Sequence, residues 1–522
     1  MEKVKLTVFR GGEKTVCDVE KNTTVLAALS GANVGVYAPC GGAGTCGKCK
    51  VKASGALSEP EEYERRRLTE DELHGGVRLA CRVKILGDAT VRIDDAEMTI
   101  ETGGLSKFAT DKSDGGEGLG VAVDIGTTTV AVYVCDLESG SILKTASFKN
   151  PQAVYGADVI SRIDKIVSSS SALDTQRKIL VDAINSAISG ICDKLYKSIT
   201  DVKKCVLCGN TVMEHIFCGI DPTPIARVPF TAPTLFENGV FDAASLGINA
   251  APDAKCLVAP CVASYLGGDI VCGVVASGFD ASDGASVFID VGTNGEIGLY
   301  SNGKIYFCSA AAGPAFEGAN IVCGSAGVEG AVSSVKLDGG ELKIETIGGG
   351  KPKGICGSGI IDAIAAMLDA GVIDEAGSFD DGYQGDLVGE ENGRDAFMIA
   401  DGVFITEDDV RQVQLAKAAI CAGILTLLHE AKTDVSDVKS VVLAGGFGSH
   451  IDVSSARKIG LLPRGITENV IFAGNTAGMG AVALLVGKEA RKRASAVASE
   501  SEYVELSASG FFMEAYIEEM GF

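Results

Sequence analysis

The sequence predicts a small α+β domain at the N-terminus, followed by a linker and a larger, duplicated α/β domain. Residues 1–97 combine hairpin strands with a loop rich in Gly and Cys, and residues 98–119 show no hydrophobic periodicity. An apolar strand, an aspartate, a polar turn and a second strand occur at Asp124 and again at Asp290. Because a whole domain separates the two copies, the repeat indicates two related lobes rather than a solenoid.

Composition and charge exclude several classes of protein. The 522 residues are 46% hydrophobic and 22% charged, which is typical of a folded protein, and the net charge is −23. This balance argues against a nucleic-acid binder or an anionic-membrane binder, both of which need a basic face. The N-terminus lacks a signal-peptide pattern, and no apolar run approaches the length of a membrane span. The 17 cysteines then indicate a reducing, cytoplasmic location.

The N-terminal domain alternates short strands with one short and one charged helix. A Gly-Gly pair separates two alternating runs, which predicts a hairpin, and Asn22 or Thr23 is placed to cap the helix that follows. The predicted strands are Val4–Phe9, Lys14–Val19, Val51–Ala53 and Val91–Ile93, and the predicted helices cover Val25–Leu29 and Glu61–Leu73.

The rest of the chain divides by the same criteria. Residues 98–119 are rich in Gly, Ser, Thr and Asp and predict a flexible linker. Alternating strand and helix patterns then predict one lobe over 120–284 and a second lobe over 285–486. A charged helix and a tail with spaced aromatic residues follow over 487–522, and the aromatic spacing predicts that the tail is docked.

Four cysteines in the N-terminal domain have the spacing of metal ligands. Cys40, Cys46 and Cys49 form a C-x5-C-x2-C pattern in a Gly-rich loop, and Cys81 stands alone downstream. Four thiolates can hold two irons, and glycines let such a loop wrap a cluster with its N–H groups towards the sulfurs. A zinc site and a set of buried free thiols remain open, although zinc sites usually contain a second close pair.

Two other cysteine pairs predict packing rather than metal binding. Cys205 and Cys208 lie in an apolar strand, where an offset of three positions directs side chains to opposite faces. Cys256 and Cys261 flank a turn that contains proline. Buried thiols of this kind behave as small hydrophobic residues.

The repeated turns predict phosphate binding. Backbone N–H groups and hydroxyls of the turns that follow Asp124 and Asp290 can surround phosphate oxygens. An aspartate at the strand end can hold Mg²⁺ through water, because Mg²⁺ retains much of its hydration shell. Two such hairpins, one in each lobe, could grip a polyphosphate from both sides. No GxxxxGK[ST] motif occurs, so the predicted nucleotide fold is not of the P-loop type.

These motifs carry resemblances to two known families. Residues 4–95 resemble a [2Fe–2S] ferredoxin domain with adrenodoxin-like cysteine spacing, which implies a β-grasp fold with Cys40, Cys46, Cys49 and Cys81 as cluster ligands. Residues 121–486 resemble the superfamily of acetate and sugar kinases, heat-shock chaperones and actin, which implies RNase H-like lobes. By position, this second resemblance implies Mg²⁺ at Asp124 and Asp290, phosphates near Thr127, Thr128, Thr293 and Asn294, and a nucleoside near Gly445, Gly446 and Phe447.

The combination of the two domains is similar to the family of reductive activators of corrinoid-dependent enzymes. Stretches such as 150–164 and 354–363 carry this resemblance. It implies that ATP drives a one-electron transfer from the [2Fe–2S] cluster, returning an inactive Co(II) corrinoid protein to Co(I). It also implies an upstream electron donor and leaves a homodimer as an option, although an intervening domain of longer members is missing here.

Three other functions remain open on the residues alone. An ATP-driven activator of another low-potential enzyme would use the same two domains. A small-molecule kinase with a ferredoxin redox module would need a catalytic base, for which Glu296 and Asp269 are both candidates. An electron carrier with a degenerate nucleotide fold would not need the aspartates of both turns, and both are present.

Overall fold

A computed structural model describes most of the chain. The residues described are 3–10, 13–32, 34, 36, 47, 49–93, 116–156, 158–281, 283–292, 294–391, 393–445, 451–466 and 469–522. Most of the predicted linker lies outside the described residues, as do five predicted site residues: Cys40, Cys46, Thr293, Gly446 and Phe447.

The N-terminal domain is a five-stranded sheet with three short helices. Its elements are β1 (Lys3–Arg10), β2 (Glu13–Glu20), α1 (Val25–Gly31), β3 (Lys50–Leu57), α2 (Glu62–Arg65), α3 (Glu70–His74), β4 (Val77–Leu79) and β5 (Ile85–Ile93). The strand order is β2-β1-β5-β3-β4, with β1 and β5 parallel and the other pairs antiparallel. Leu6, Leu29 and Ile85 are fully buried in the core between the sheet and α1. The predicted α+β ferredoxin-like fold is confirmed.

The first lobe begins at Leu119, one residue before the predicted position. Its elements are β6 (Leu119–Ile125), β7 (Thr129–Asp136), β8 (Ile142–Lys149), α4 (Val159–Ser168), α5 (Ala172–Lys194), β9 (Val202–Gly209), α6 (Thr211–Cys218), β10 (Val240–Asp242), β11 (Lys255–Val258) and α7 (Gly268–Ser277). The sheet order is β10-β11-β9-β6-β7-β8. Strands β6, β7 and β8 form an antiparallel meander, whereas β9 and β11 extend the other side of β6 in parallel.

The second lobe repeats this arrangement with a large insertion. Its elements are β12 (Ala285–Val291), β13 (Gly295–Ser301), β14 (Lys304–Ala310), β15 (Ala331–Asp338), β16 (Glu341–Thr346), β17 (Gly354–Ile355), α8 (Gly357–Asp369), β18 (Val388–Glu391), β19 (Arg394–Ala400), β20 (Val403–Thr406), α9 (Glu407–Glu430), β21 (Val438–Ala444), α10 (Val453–Lys458), β22 (Val470–Gly474) and α11 (Thr476–Val486).

The duplication is visible in the strand orders of the two lobes. In the second lobe, β12, β13 and β14 form the antiparallel meander, and β21 and β22 extend β12 in parallel. The strands β6 and β12 therefore occupy equivalent central positions, and each carries one of the two predicted aspartates near its end. The predicted duplicated α/β fold is confirmed.

A close helix crossing joins the two lobes. Helix α11 follows the last parallel strand of the second lobe, yet it packs against α7 and against β6 and β9 of the first lobe. A Cβ at Gly480 would lie 2.0 Å from the carbonyl oxygen of Cys272. Only glycine fits at such a backbone contact, because real Cβ atoms do not approach that closely. Buried side chains of both lobes therefore form the hydrophobic core at the crossing of α7 and α11.

The C-terminal segment packs on the second lobe. It contains α12 (Lys488–Glu500), β23 (Glu502–Tyr503), which pairs with β14, and α13 (Gly510–Glu518), which packs on α9. Phe522 is 7% exposed, and the buried Lys417 donates a hydrogen bond to the carbonyl oxygen of Gly521. Aromatic side chains of the tail thus complete the surface of the second lobe.

Helix α9 has the length and composition of a membrane span. Among the described residues it alone meets that criterion, and 78% of its apolar window is buried inside the protein. The central helix of a folded domain satisfies the same test, so α9 is weak evidence for a membrane segment.

Candidate nucleotide and iron–sulfur sites

A cleft between the two lobes contains the paired aspartates. Asp124 lies near the end of β6 and Asp290 near the end of β12, and both side chains line the same cavity. The amide nitrogen of Asn475, which caps α11, donates a hydrogen bond of 2.8 Å to Asp124. The helix that crosses between the lobes is thereby tied to the first of the two carboxylates.

The first turn is supported from behind by two asparagines. Thr127 and Thr128 line the cavity, and the side-chain amide of Asn210 donates a 3.0 Å hydrogen bond to the Thr127 hydroxyl. Asn150 donates its side-chain N–H to the carbonyl of Gly126 at 2.9 Å and its backbone N–H to that of Thr128 at 2.8 Å. The turn is therefore held in one conformation with its threonines in the cleft.

The second turn and the predicted nucleoside loop meet at Asp290. Asn294 lines the cavity, and its carbonyl accepts a 2.9 Å hydrogen bond from the N–H of Gly292. Gly445 has a φ of +88°, and a Cβ there would lie 2.7 Å from Oδ1 of Asp290. Both the backbone conformation and the closeness of this carboxylate require glycine at that position. The structure thus places Gly445 beside Asp290.

Among the other acidic residues that line the same cleft are the two whose role the sequence left open. Asp269, at the start of α7, and Glu296, on β13, both line the cavity with Asp124 and Asp290. Asp269 reaches the cleft because Gly267 lies against the start of α6, where a Cβ would be 2.3 Å from the carbonyl oxygen of Gly209. In the sequence, the Gly-Gly-Asp segment at 267–269 was the available signal for Asp269. The position of Asp269 in the cleft depends on the contact between Gly267 and Gly209, which the sequence does not show.

The negative charges of these carboxylates repel one another. Burial and the hydrogen bond from Asn475 act in opposite directions on Asp124, and the net effect raises its pKa to about 6. Burial, Asp124 and Glu317 raise the pKa of Asp290 to about 7. Burial together with Asp290 and Asp124 raises the pKa of Asp269 to about 8. A set of half-buried carboxylates that disfavour each other's ionisation fits a divalent cation, whose charge removes the repulsion.

Carboxylates of this cleft would hold Mg²⁺ through its bound water. Within the part of the chain that the structure describes, no three His, Cys, Asp or Glu side chains are spaced to bind one metal ion directly. Mg²⁺ keeps several of its waters when it binds a nucleotide, and carboxylates then hold those waters. The residues that would hold Mg²⁺ in this way are Asp124 and Asp290.

These pKa shifts predict how stability depends on pH without Mg²⁺. Between the unfolded pKa of 3.8 and folded values of about 6, 7 and 8, the native state binds more protons than the unfolded state. We therefore expect this cluster to stabilise the fold at low pH and the melting temperature to fall as the pH rises from 5 to 8. The effect is measured by thermal unfolding at pH 5 to 8, once in EDTA and once in Mg²⁺ with nucleotide.

Mg²⁺ with nucleotide should flatten this pH dependence, because a bound cation favours the ionised carboxylates. The Asp269→Asn variant, which removes the most strongly shifted of the three, should flatten it in EDTA as well. If neither Mg²⁺ with nucleotide nor the Asp269→Asn substitution alters the pH dependence of the melting temperature, groups other than this cluster cause that dependence.

The described half of the cysteine site has the environment of a cluster ligand pair. Cys49 is buried, and its Sγ accepts a 3.5 Å hydrogen bond from the backbone N–H of Cys81. Gly47, between two of the predicted ligands, has a φ of +66°. A buried ion pair of Glu64 and Arg78, at 2.7 Å, anchors α2 beside the strand that leads to Cys81. Amide donors to sulfur suit thiolates of an iron–sulfur cluster, so the described residues fit that group.

The remaining cysteine pairs are packed in the core. Cys205 and Cys208 point to opposite faces of β9, as strand alternation predicts, and belong to different core clusters. Cys205 lies beside Cys256 on the neighbouring parallel strand β11. All three are free thiols in the interior of the first lobe.

Three family descriptions match consecutive parts of the chain. "2Fe-2S iron-sulfur cluster binding domain" matches residues 8–86, "RACo middle region" matches residues 119–282, and "C-terminal domain of RACo the ASKHA domain" matches residues 284–522. These matches cover the N-terminal domain and both lobes.

Individual relatives point in the same direction. The corrinoid activation enzyme RamQ of Eubacterium limosum is 35% identical over 416 residues, covering 76% of this chain and 69% of that protein. The [Co(II) methylated amine-specific corrinoid protein] reductase of Methanosarcina barkeri is 25% identical over 390 residues, covering 68% of each chain. The solved structure of a reductive activator for corrinoid, iron-sulfur protein is 29% identical, with a TM-score of 0.70 over 99% of this chain and 98% of that one.

Proposed function

This chain belongs to the family of reductive activators of corrinoid proteins, and from that premise we propose that it uses ATP to drive one electron from its [2Fe–2S] cluster to a corrinoid protein. The electron converts inactive Co(II) to Co(I), the form that accepts a methyl group. The observation that carries the proposal is the presence, in one chain, of a ferredoxin domain and a two-lobed cleft with an aspartate from each lobe.

The electron-transfer half depends on four thiolates. We assign Cys40, Cys46, Cys49 and Cys81 as the cluster ligands, on the basis of their spacing and of the backbone N–H of Cys81, which donates to the sulfur of Cys49. When bound, the [2Fe–2S] cluster supplies a one-electron donor with a potential of about −400 mV in ferredoxins of the plant type. The protein's own part is to hold the thiolates and to direct backbone N–H groups at them.

The nucleotide half depends on the two lobes. We assign Asp124 and Asp290 to hold Mg²⁺ through water. The residues proposed to contact phosphate are Thr127, Thr128, Thr293 and Asn294, and those proposed to lie near the nucleoside are Gly445, Gly446 and Phe447. Because each lobe contributes one turn, a polyphosphate binds best when the lobes are close together. Nucleotide binding and hydrolysis would then change the angle between the lobes across the α7–α11 crossing.

The coupling of ATP to electron transfer follows from a difference in potential. If the reduction potential of the Co(II)/Co(I) couple lies below that of the cluster, each 59 mV of difference lowers the equilibrium constant for one-electron transfer about tenfold. Binding of the corrinoid protein to the closed lobes can remove this difference in potential only if the activator binds the Co(II) and Co(I) states with different affinity. We therefore propose that ATP turnover makes the corrinoid protein easier to reduce.

The remaining assignments complete the proposal. Residues 1–97 form the electron-carrying unit, 120–284 and 285–486 the two lobes, and 487–522 the docked C-terminal segment, with 98–119 as the connection. The cluster must be reduced again after each transfer, so an upstream electron donor is required. We place the reaction in the cytoplasm and include a homodimer among the possible assemblies.

The proposed function is tested with purified components. A Co(II) corrinoid protein from a methyltransferase system, mixed with the reduced activator, should give the Co(I) absorbance spectrum only when Mg-ATP is added. Cobalt reduction that proceeds equally well without ATP would contradict the proposal. Phosphate transferred from ATP to a small sugar or acid would instead identify the chain as a kinase.

A further inference from the structure

A fully buried arginine lies directly behind the first phosphate turn. Arg162, on α4, has no exposed surface, and its guanidinium donates hydrogen bonds to the carbonyl oxygens of Thr127 and Gly156 and to Oε1 of Gln152. The Gly156 and Gln152 bonds measure 3.0 and 3.3 Å. The side chain thus links the centre of the turn to the loop that precedes α4.

The partners of Arg162 are neutral. Gln152 and Gln176 are also fully buried, and Gln176 donates its side-chain N–H to the backbone carbonyl of Arg162 at 3.0 Å. Asp158 is near enough to attract the guanidinium, but its carboxylate accepts hydrogen bonds from the N–H and the hydroxyl of Ser161. Within the described residues, no carboxylate forms an ion pair with Arg162.

An arginine buried without an anion carries a cost. Burial lowers the pKa of Arg162 to about 9, since removal from water disfavours its charge. A buried charge without an ion-pair partner costs free energy, because its desolvation is not offset by an opposite charge, and such a cost points to a role other than stability. The anion available to it is the phosphate that the Thr127 turn would bind on its other side, in the cleft.

We infer that Arg162 is a positioning residue whose buried positive charge, acting through the Thr127 turn, makes the cleft selective for the polyphosphate of the nucleotide. It orients the turn through the Thr127 carbonyl, and its charge attracts phosphate through the buried interior of the protein, where electrostatic interactions are weakly screened. This inference rests on the proposed nucleotide site and adds a residue that neither phosphate turn contains.

The sharpest test supplies the missing anion without removing the arginine. Gln152→Glu is nearly isosteric and places a carboxylate on the guanidinium, at the position of the present Oε1. A buried ion pair then neutralises Arg162, so Mg-ATP should bind about tenfold more weakly, Mg-ADP should lose less affinity, and adenosine should bind unchanged. Isothermal titration calorimetry of the full-length protein gives the three affinities.

Stability separates this role from a structural one. The Gln152→Glu variant should melt, without nucleotide, close to the wild-type temperature, because the ion pair that it gains offsets the lost hydrogen bond from Nε2 of Gln152 to the carbonyl oxygen of Gln176. Gln176→Leu, which removes a neutral buried member of the same network, should lower the melting temperature but leave the ratio of ATP to adenosine affinity unchanged. Arg162→Lys keeps the charge and should keep that ratio within about threefold.

The outcomes are distinct. A folded Gln152→Glu protein with wild-type Mg-ATP affinity overturns the inference, and so does an equal loss of affinity for ATP and adenosine. If Gln152→Glu does not fold, Arg162→Met gives the same comparison by removing the charge. A wild-type protein that fails to bind Mg-ATP would instead refute the proposed nucleotide site itself.

Discussion

Replacing Asp290 by Asn should lower the rate of Mg-ATP hydrolysis by at least about 100-fold, since one preorganised group in an active site is commonly worth that much. The change removes a negative charge at the end of β12 but keeps the size of the side chain, and the loss should be larger in kcat than in KM. The visible spectrum of the cluster should stay the same, because the ferredoxin domain has its own core. Phosphate release and absorbance measure the two effects.

The control for this prediction is an aspartate outside the cleft. Asp242 is exposed and pairs with Lys255 on the neighbouring strand, so Asp242→Asn should leave hydrolysis unchanged. Asp124→Asn should resemble Asp290→Asn, because the two lobes contribute equivalent turns. Hydrolysis at the wild-type rate in both cleft variants would show that the turns do not hold Mg²⁺.

Replacing Cys81 by Ala should remove the [2Fe–2S] cluster and abolish reduction of the corrinoid protein. Three thiolates leave one iron with a single protein ligand, so we expect the iron content to fall from about two per chain towards zero. Nucleotide binding should persist, because Cys81 belongs to the N-terminal core, whereas Asp124 and Asp290 lie on the central strands of the two lobes. Iron analysis, visible absorbance and Mg-ATP binding are the measurements.

Cys17 provides the matched control. It lies on β2 in the same domain, is half-buried, and its thiol contacts the carbonyl of Leu6 at 3.6 Å. Cys17→Ala should therefore retain iron, absorbance and cobalt reduction. Zinc instead of iron in anaerobically purified wild-type protein would overturn the ligand assignment, as would an intact cluster in the Cys81 variant.

A kinase function and a corrinoid-activator function would both use the cleft between the lobes. The requirement for the ferredoxin domain distinguishes the two functions. A kinase reaction would not require electrons, so Cys81→Ala would leave it intact. The proposed activator loses its reaction with either the cluster or the cleft aspartates. Comparing the Cys81 and Asp290 variants in one cobalt-reduction assay therefore tests whether both halves serve the same reaction.

The sequence alone determined the fold class and the types of chemistry. Alternating hydrophobic residues, turns and the paired aspartates are local patterns, and each strand carries its own pattern whatever surrounds it. The cysteine spacing also lies within short segments, apart from Cys81.

The tertiary structure alone decided which distant residues meet. Asn475 contacts Asp124 because α11 crosses to the first lobe, and Gly480 permits that crossing. Asp269 joins the two predicted aspartates in the same way, through the packing of α7. Hydrophobic periodicity around Arg162 does not distinguish it from an exposed arginine on an amphipathic helix. Its burial behind Thr127 depends on contacts among elements far apart in the chain, and hydrophobic periodicity carries no information about such contacts.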